Sequence, residues 1–275
     1  VEPGWYNAFK LGRPAPWGTW RLLCSGQNLT RSDALTIGDF DVGTAGENRL
    51  LALLPASDRE RIASKLVPRF LNLKTVLFEP GQVVDAVYFP LDGVVSLVTP
   101  LEDGAIVEVA TIGNEGLVGV PSVLGGSLAV RAISQVPGRS LMMGTEAFLA
   151  EVKLRGGLAR IIEAYVQALF GQISQAAACN RLHSNEERLS RWLLMSQDRV
   201  GSDSFIITQE FLAQMLGSRR ATVTLSAGIL QKAGLIRYHR GHVEILDRAG
   251  LEETSCECYG VIRDELDRVS LAPQR

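Results

Sequence analysis

The stretch TQEFLAQMLGSRRATVTLSAGILQKAGLI, Thr208 to Ile236, is punctuated as two short helices around one tight turn. Thr208 stands where an N-cap belongs, its hydroxyl within reach of the free amides of a first turn. Leu212, Met215 and Leu216 give the first helix one apolar face. Gly217 then ends that helix in the left-handed conformation, Ser218 is expected to cap the second helix, and Gly234 ends the second. Ala213 lies four residues before Gly217, where a larger side chain would hold the helices apart. The pattern is a helix-turn-helix.

Its charges give the pair a direction. Arg219 and Arg220 fall in the first turn of the second helix, where the macrodipole disfavours cations. A helix tuned only for its own stability would carry Asp or Glu there. Arginines at that end point to an anionic partner, and base edges and phosphates in a major groove are the obvious one. Gln209, Ser218, Thr222 and Thr224 join them as candidate contacts. The following LIRYHRGHVEILD reads as a hairpin turning at Arg240-Gly241, with Arg237, His239, Arg240 and His242 at its tip. A basic hairpin directly after a helix-turn-helix is a wing, placed to touch phosphates beside the groove. The net charge of the whole chain is −2, yet from Arg181 to Arg248 Lys and Arg outnumber Asp and Glu by ten to seven. Any affinity for nucleic acid therefore rests on local charge.

Towards the N-terminus, Ser184-Asn185-Glu186-Glu187 spells a capping box that opens a new helix. Before it, Leu158, Ile162, Tyr165, Leu169 and Ile173 recur at near-heptad spacing along one long helix. Such a seam fits either the chain's own domain or a second copy, and dimerisation is the favoured reading. A good helix start is expected at Thr145. From Pro68 to about Met143 the period changes to two: FLNLKTVLF, DAVYFPLDGVVSLVTP and LEDGAIVEVATI are alternating runs split by glycine turns. The expected class is α+β: an antiparallel β-roll or jelly roll, a long dimerisation helix, then the winged helix-turn-helix. The corresponding boundaries are an extension over 1–37, a sensor roll over 38–150, the long helix over 151–183 and a DNA-binding domain over 184–275. NRLLALLPASDRERIASKL has helical spacing and should pack on the roll.

Composition excludes several classes. No apolar run is long enough to span a bilayer, so no membrane role is expected. The first thirty residues do not read as a secretory signal. Four cysteines in 275 residues do not make a disulfide scaffold, which favours a reducing, cytoplasmic setting. Phosphate-binding loop, nucleophile elbow and His-Glu metal motifs are all missing, so no catalytic residues, no enzyme activity and no cofactor are expected.

In this order of parts the chain resembles the Crp/Fnr family of bacterial transcription regulators over roughly 48–270. The matching stretches are FEPGQVVDAVYFPLDGVVSLV, ERLSRWLL and LGSRRATVTLSAGILQKAGLI with its wing. The resemblance implies a homodimer on an inverted-repeat operator in double-stranded DNA, with the roll as sensor. RNA polymerase is an implied partner if the protein activates, and a small-molecule effector is open.

One segment departs from the family's cyclic-nucleotide binders. IGNEGLVGVPSVLGGSLAVRA, Ile112 to Ala132, has glycines at Gly113, Gly116 and Gly119, and Arg131 in the place of the phosphate-binding arginine. The ribose-binding glutamate of the resemblance is replaced by Val120, followed by Pro121, which has no amide to donate. Gly113, Gly119, Val120 and Arg131 are the candidate effector residues, and cyclic AMP is not the expected ligand. The recognition helix departs as well, with Ala221 and Leu225 where base-reading residues are common, so a different operator is expected.

Two alternatives remain open: a cyclic-nucleotide-dependent regulator, and a thiol or metal redox sensor. Cys256-Glu257-Cys258 is a weak metal signal without further ligands nearby in the chain. Cys179 reads as a small buried residue, and no metal site is expected.

Overall fold

Asn48 anchors the start of the fold with both ends of its side chain. Its Oδ1 accepts from the amides of Leu50 and Leu51 at 3.1 and 3.2 Å. Its Nδ2 donates to the carbonyls of Pro90 and Gly116 at 2.9 and 3.0 Å. The structure is a computed structural model and describes residues 48–102 and 104–271. The expected N-terminal extension, with Cys24, lies outside them.

Two short helices follow, α1 (Arg49–Ala52) and α2 (Ala56–Ala63). Pro55 precedes α2 and divides the single helical pattern seen in the sequence. The roll comprises β1 (Val67–Leu71), β2 (Val76–Phe78), β3 (Ala86–Pro90), β4 (Val94–Pro100), β5 (Ile106–Ile112), the short α3 (Val120–Val123), β6 (Arg131–Val136) and β7 (Gly138–Gly144). Its strands form two antiparallel sheets, ordered β1-β7-β3 and β2-β6-β4-β5. The run FLNLKTVLF reads as one strand in sequence but is two. Lys74 turns with φ +65° between them, so β1 joins one sheet and β2 the other. That crossover ties the sheets around a core including Phe89, Val94, Val98, Leu117 and Phe148.

Beyond Gly144 the chain is mainly helical: α4 (Thr145–Lys153), α5 (Gly157–Leu182) and α6 (Asn185–Val200). Next come β8 (Ser204–Ile206), α7 (Gln209–Met215), α8 (Arg220–Lys232), β9 (Ile236–His239), β10 (His242–Ile245), α9 (Arg248–Thr254) and α10 (Cys258–Arg268). Thr145 does not cap α4. Gly144 holds the cap position, and the Thr145 hydroxyl instead donates to the Val84 carbonyl at 2.6 Å, binding the helix start to the roll. The capping box at Ser184 and Glu187 forms as expected.

The apolar seam on α5 is spent inside the chain. Leu158, Ile162, Tyr165 and Leu169 are buried in the core shared with the roll, and Ile173 packs against it partly buried. The Tyr165 hydroxyl donates to the Leu117 carbonyl at 3.2 Å, and Gln172 reaches the Thr111 carbonyl at 3.0 Å. Near-heptad spacing defines a stripe but not what covers it, and within the chain β5 and its following loop meet this stripe. The face left open carries Glu163, Gln167, Phe170, Ser174 and Ala177, again at spacings of three and four. Phe170 is 71% exposed on it. No helix among the described residues is long and apolar enough to cross a membrane.

Candidate nucleic-acid interface and sensor cavity

The helix-turn-helix forms because each local signal is met. The Thr208 hydroxyl accepts from the amide of Phe211 at 3.2 Å. Phe211, Leu212, Ala213 and Met215 bury the inner face of α7. Gly217 takes φ +55°, a conformation that costs an L side chain about 1–2 kcal/mol. Ser218 is not the cap of α8. Arg219 holds that position without a side-chain cap, while the Ser218 hydroxyl turns back to Asn185 Oδ1 and fixes the turn against α6.

The start of α8 is therefore open and cationic. It has no acidic residue in its first turn. Arg219 and Arg220 are exposed and have no ion-pair partner among the described residues. Free amides, a positive dipole end and two guanidinium groups converge there, which is the composition of an anion site. Thr224 lies one turn on, its hydroxyl 2.9 Å from Gln209 Oε1 on α7 and 2.9 Å from the Arg220 carbonyl. The structure thus brings together Gln209, Arg219, Arg220 and Thr224, with Thr222 half-buried beside them. Leu225 and Ile229 continue the outer face of α8 at 69% and 55% exposure. Sequence reading passed over Ile229 because an isolated apolar residue in an amphipathic helix is assigned to the core by default.

The wing is a tight hairpin. Ile236 pairs with Ile245 and His239 with His242, leaving Arg240 and Gly241 as a two-residue turn with φ +48° and +81°. Both central residues being left-handed matches the twist of the strands. β8 pairs with β10 to complete the sheet, and the Tyr238 hydroxyl donates to the Ile207 carbonyl at 2.8 Å. His239, Arg240 and His242 are exposed. Arg237 is ion-paired with Glu244, so its charge is partly spent within the hairpin.

In the roll, the glycines after β5 accommodate side chains instead of a phosphate. A Cβ on Gly113 would lie 2.5 Å from Cγ of Arg199 on α6. One on Gly116 would meet the Tyr165 hydroxyl at 2.6 Å, and one on Gly119 would meet Val87 at 2.9 Å. Arg131 is bound to Glu79 at 2.8 Å. Gly119 and Val120 line a cavity of about 310 Å³ between roll and α5; Gly113 and Arg131 do not. Phe78, Leu97, Leu124, Val166 and Phe170 complete much of its wall, and among the described residues no polar side chain lines it.

Roll and DNA-binding half are joined by buried polar contacts. Arg199 donates to Glu115 at 2.8 Å and to the Thr111 carbonyl at 3.1 Å. Glu108 on β5 is buried and bonded by Ser96 at 2.7 Å. Burial pushes its carboxyl up to about 7, with the Ser96 bond and the Arg191 and Arg199 charges opposing that rise.

A β-roll with an apolar cavity against one long helix, followed by an open recognition helix and wing, defines a regulator that reads DNA. Residues 68–154 match the cyclic nucleotide-binding domain family, and residues 187–254 match the Crp-like helix-turn-helix domain. The global nitrogen regulator of Synechococcus elongatus is 27% identical over 225 residues, covering 76% of this chain and 98% of that protein. FixK2 from Bradyrhizobium japonicum shares the fold with a TM-score of 0.60 at 15% identity, over 70% of this chain and 98% of its own. A Crp/Fnr-family regulator from Eubacterium rectale does so with a TM-score of 0.58 at 17% identity, over 76% and 98%. The chain belongs to the Crp/Fnr family of transcription regulators.

Proposed function

We propose that this regulator acts as a cytoplasmic homodimer on an inverted-repeat operator and that its effector is an apolar small molecule, not a cyclic nucleotide. The sensor is residues 38–150, the connector 151–183 and the reader 184–275. The observation that carries the reading is the start of α8, which has no side-chain cap and carries two exposed arginines without an ion-pair partner among the described residues. There Arg220 would pair with guanine, and Thr224 and Leu225 would meet thymine methyl groups. Arg219, the Ser218 turn and the wing residues His239 and Arg240 would hold phosphates. The exposed face of α5, centred on Phe170, supports pairing of two copies in place of the buried seam. RNA polymerase is the further partner if the bound dimer activates.

The wall of the cavity supports the effector class. A cyclic phosphate would need donors, and the arginine that supplies charge in related cradles is engaged by Glu79 outside the wall. The test is titration of fluorescent duplexes carrying a selected operator with the native chain and with Arg220→Ala. Loss of specific binding in a folded dimer supports the reading, and unchanged binding removes it.

A further inference from the structure

The last turn of α5 and the segment joining α9 to α10 bring four ligating side chains to one point. The ligand atoms of Cys179, His183, Cys256 and Cys258 all lie within 4.8 Å of one another. Cys179 and His183 are one turn apart on the same face of the helix. Cys256 follows α9, and Cys258 opens α10. The Sγ atoms of Cys179 and Cys256 are 3.5 Å apart, and Cys258 Sγ is 3.5 Å from His183 Nδ1. The three cysteines are buried together as a cluster separate from the main hydrophobic core.

Packing alone does not account for this arrangement. Buried thiols used as small apolar groups face methyl and methylene groups, whereas these face one another and an imidazole. Zinc holds thiolate sulfur at about 2.3 Å and imidazole nitrogen at about 2.0 Å, so a tetrahedral site spaces its ligand atoms roughly 3.5–3.8 Å apart. The two separations of 3.5 Å meet that spacing. An iron–sulfur cluster would attach its thiolates to different irons and spread them more widely.

The surrounding groups are those of a metal site. His183 Nε2 lies 3.2 Å from a Glu257 carboxylate oxygen, which leaves Nδ1 as the ligand and fixes the ring, the carboxylate–histidine–metal arrangement. Gln175 Nε2 donates to Cys258 Sγ at 3.1 Å.

We propose that Cys179, His183, Cys256 and Cys258 form a Cys3His site for one tetrahedral divalent cation, zinc foremost. On binding, three thiol protons leave to solvent, and three thiolates with one neutral imidazole hold the ion. Three thiolates and one divalent ion leave the site a net single negative charge. His183 ends α5 and Ser184 caps α6. The ion therefore sits at the junction between the long helix and the DNA-binding half, and staples α9 and α10 to it.

The test uses the full reduced chain, first stripped by a chelator and then titrated with Co2+. One equivalent should produce the intense visible bands of tetrahedral cobalt and a near-ultraviolet thiolate charge-transfer band, both bleached by Zn2+. Protein purified without chelator should carry one zinc per chain by elemental analysis. Cys256→Ser and Cys258→Ser should each weaken Co2+ binding about tenfold or more, and the native titration stands even if those variants fold poorly. A folded, fully reduced chain with no tetrahedral cobalt spectrum would overturn the proposal. So would iron with acid-labile sulfide, or a metal-free Cys179–Cys256 disulfide in protein purified without reductant.

Discussion

Glu115, in the loop after β5, and Arg199, near the end of α6, form an ion pair of 2.8 Å with side-chain exposures of 5% and 4%. It joins the β-roll to the first helix of the DNA-binding half. Gly113 carries no side chain because the stem of Arg199 lies where a Cβ would stand. The glycine-rich segment therefore connects two halves of the regulator.

Removing one partner leaves the other charge buried and unpaired. Arg199→Met should cost about 3–5 kcal/mol of unfolding free energy. Gly113→Ala should also destabilise, through collision with Arg199. Urea unfolding followed by tryptophan fluorescence, with Trp192 buried on α6, measures both.

Glu108 sets a pH dependence. Its carboxyl is raised to about 7 by burial, so the folded chain binds this proton more tightly than the unfolded chain. Its contribution is fully present below the ordinary carboxylate range and is lost as pH rises towards about 7. That contribution is on the order of 3 kcal/mol. Stability measured from pH 4.5 to 8 should fall through this window, and Glu108→Gln should flatten the fall.

The two faces of α5 should respond differently to substitution. Leu158→Ala opens space in the core and should cost about 2–5 kcal/mol while leaving the association state of the folded protein unchanged. Phe170→Glu should leave the fold intact and shift sedimentation towards monomer. Sedimentation velocity beside thermal unfolding separates the two effects.

The cavity should discriminate by polarity. Calorimetry with cyclic AMP should give no binding heat, and Arg131→Ala should change nothing. An apolar, environment-sensitive dye should bind, and Val166→Trp, which fills the wall, should abolish its signal.

Much of the reader was legible because its signals are local. Thr208, Gly217, Gly234, Arg240-Gly241 and the Ser184–Glu187 box each act within a few residues, and each appears as read. What escaped the sequence depends on distant partners. Ser218 and Thr145 are plausible caps whose hydroxyls find Asn185 and Val84 instead. The stripe on α5 does not say whether a sheet or a second copy covers it. Cys179 and Cys256 are 77 positions apart, so counting ligands near the C-x-C motif missed the cluster. The glycines after β5 looked like the remains of a cradle, because the need for space around Arg199 and Tyr165 has no sequence signature.

The most direct measurement is selection of sites by the purified, ligand-free dimer from a random duplex pool at fixed salt, repeated with Arg220→Ala. The expected result is an enriched inverted repeat with half-sites about one helical turn apart, lost in the variant. Failure to enrich any sequence with an intact dimer, or equal enrichment by the variant, would contradict the assignment of α8 as the reader.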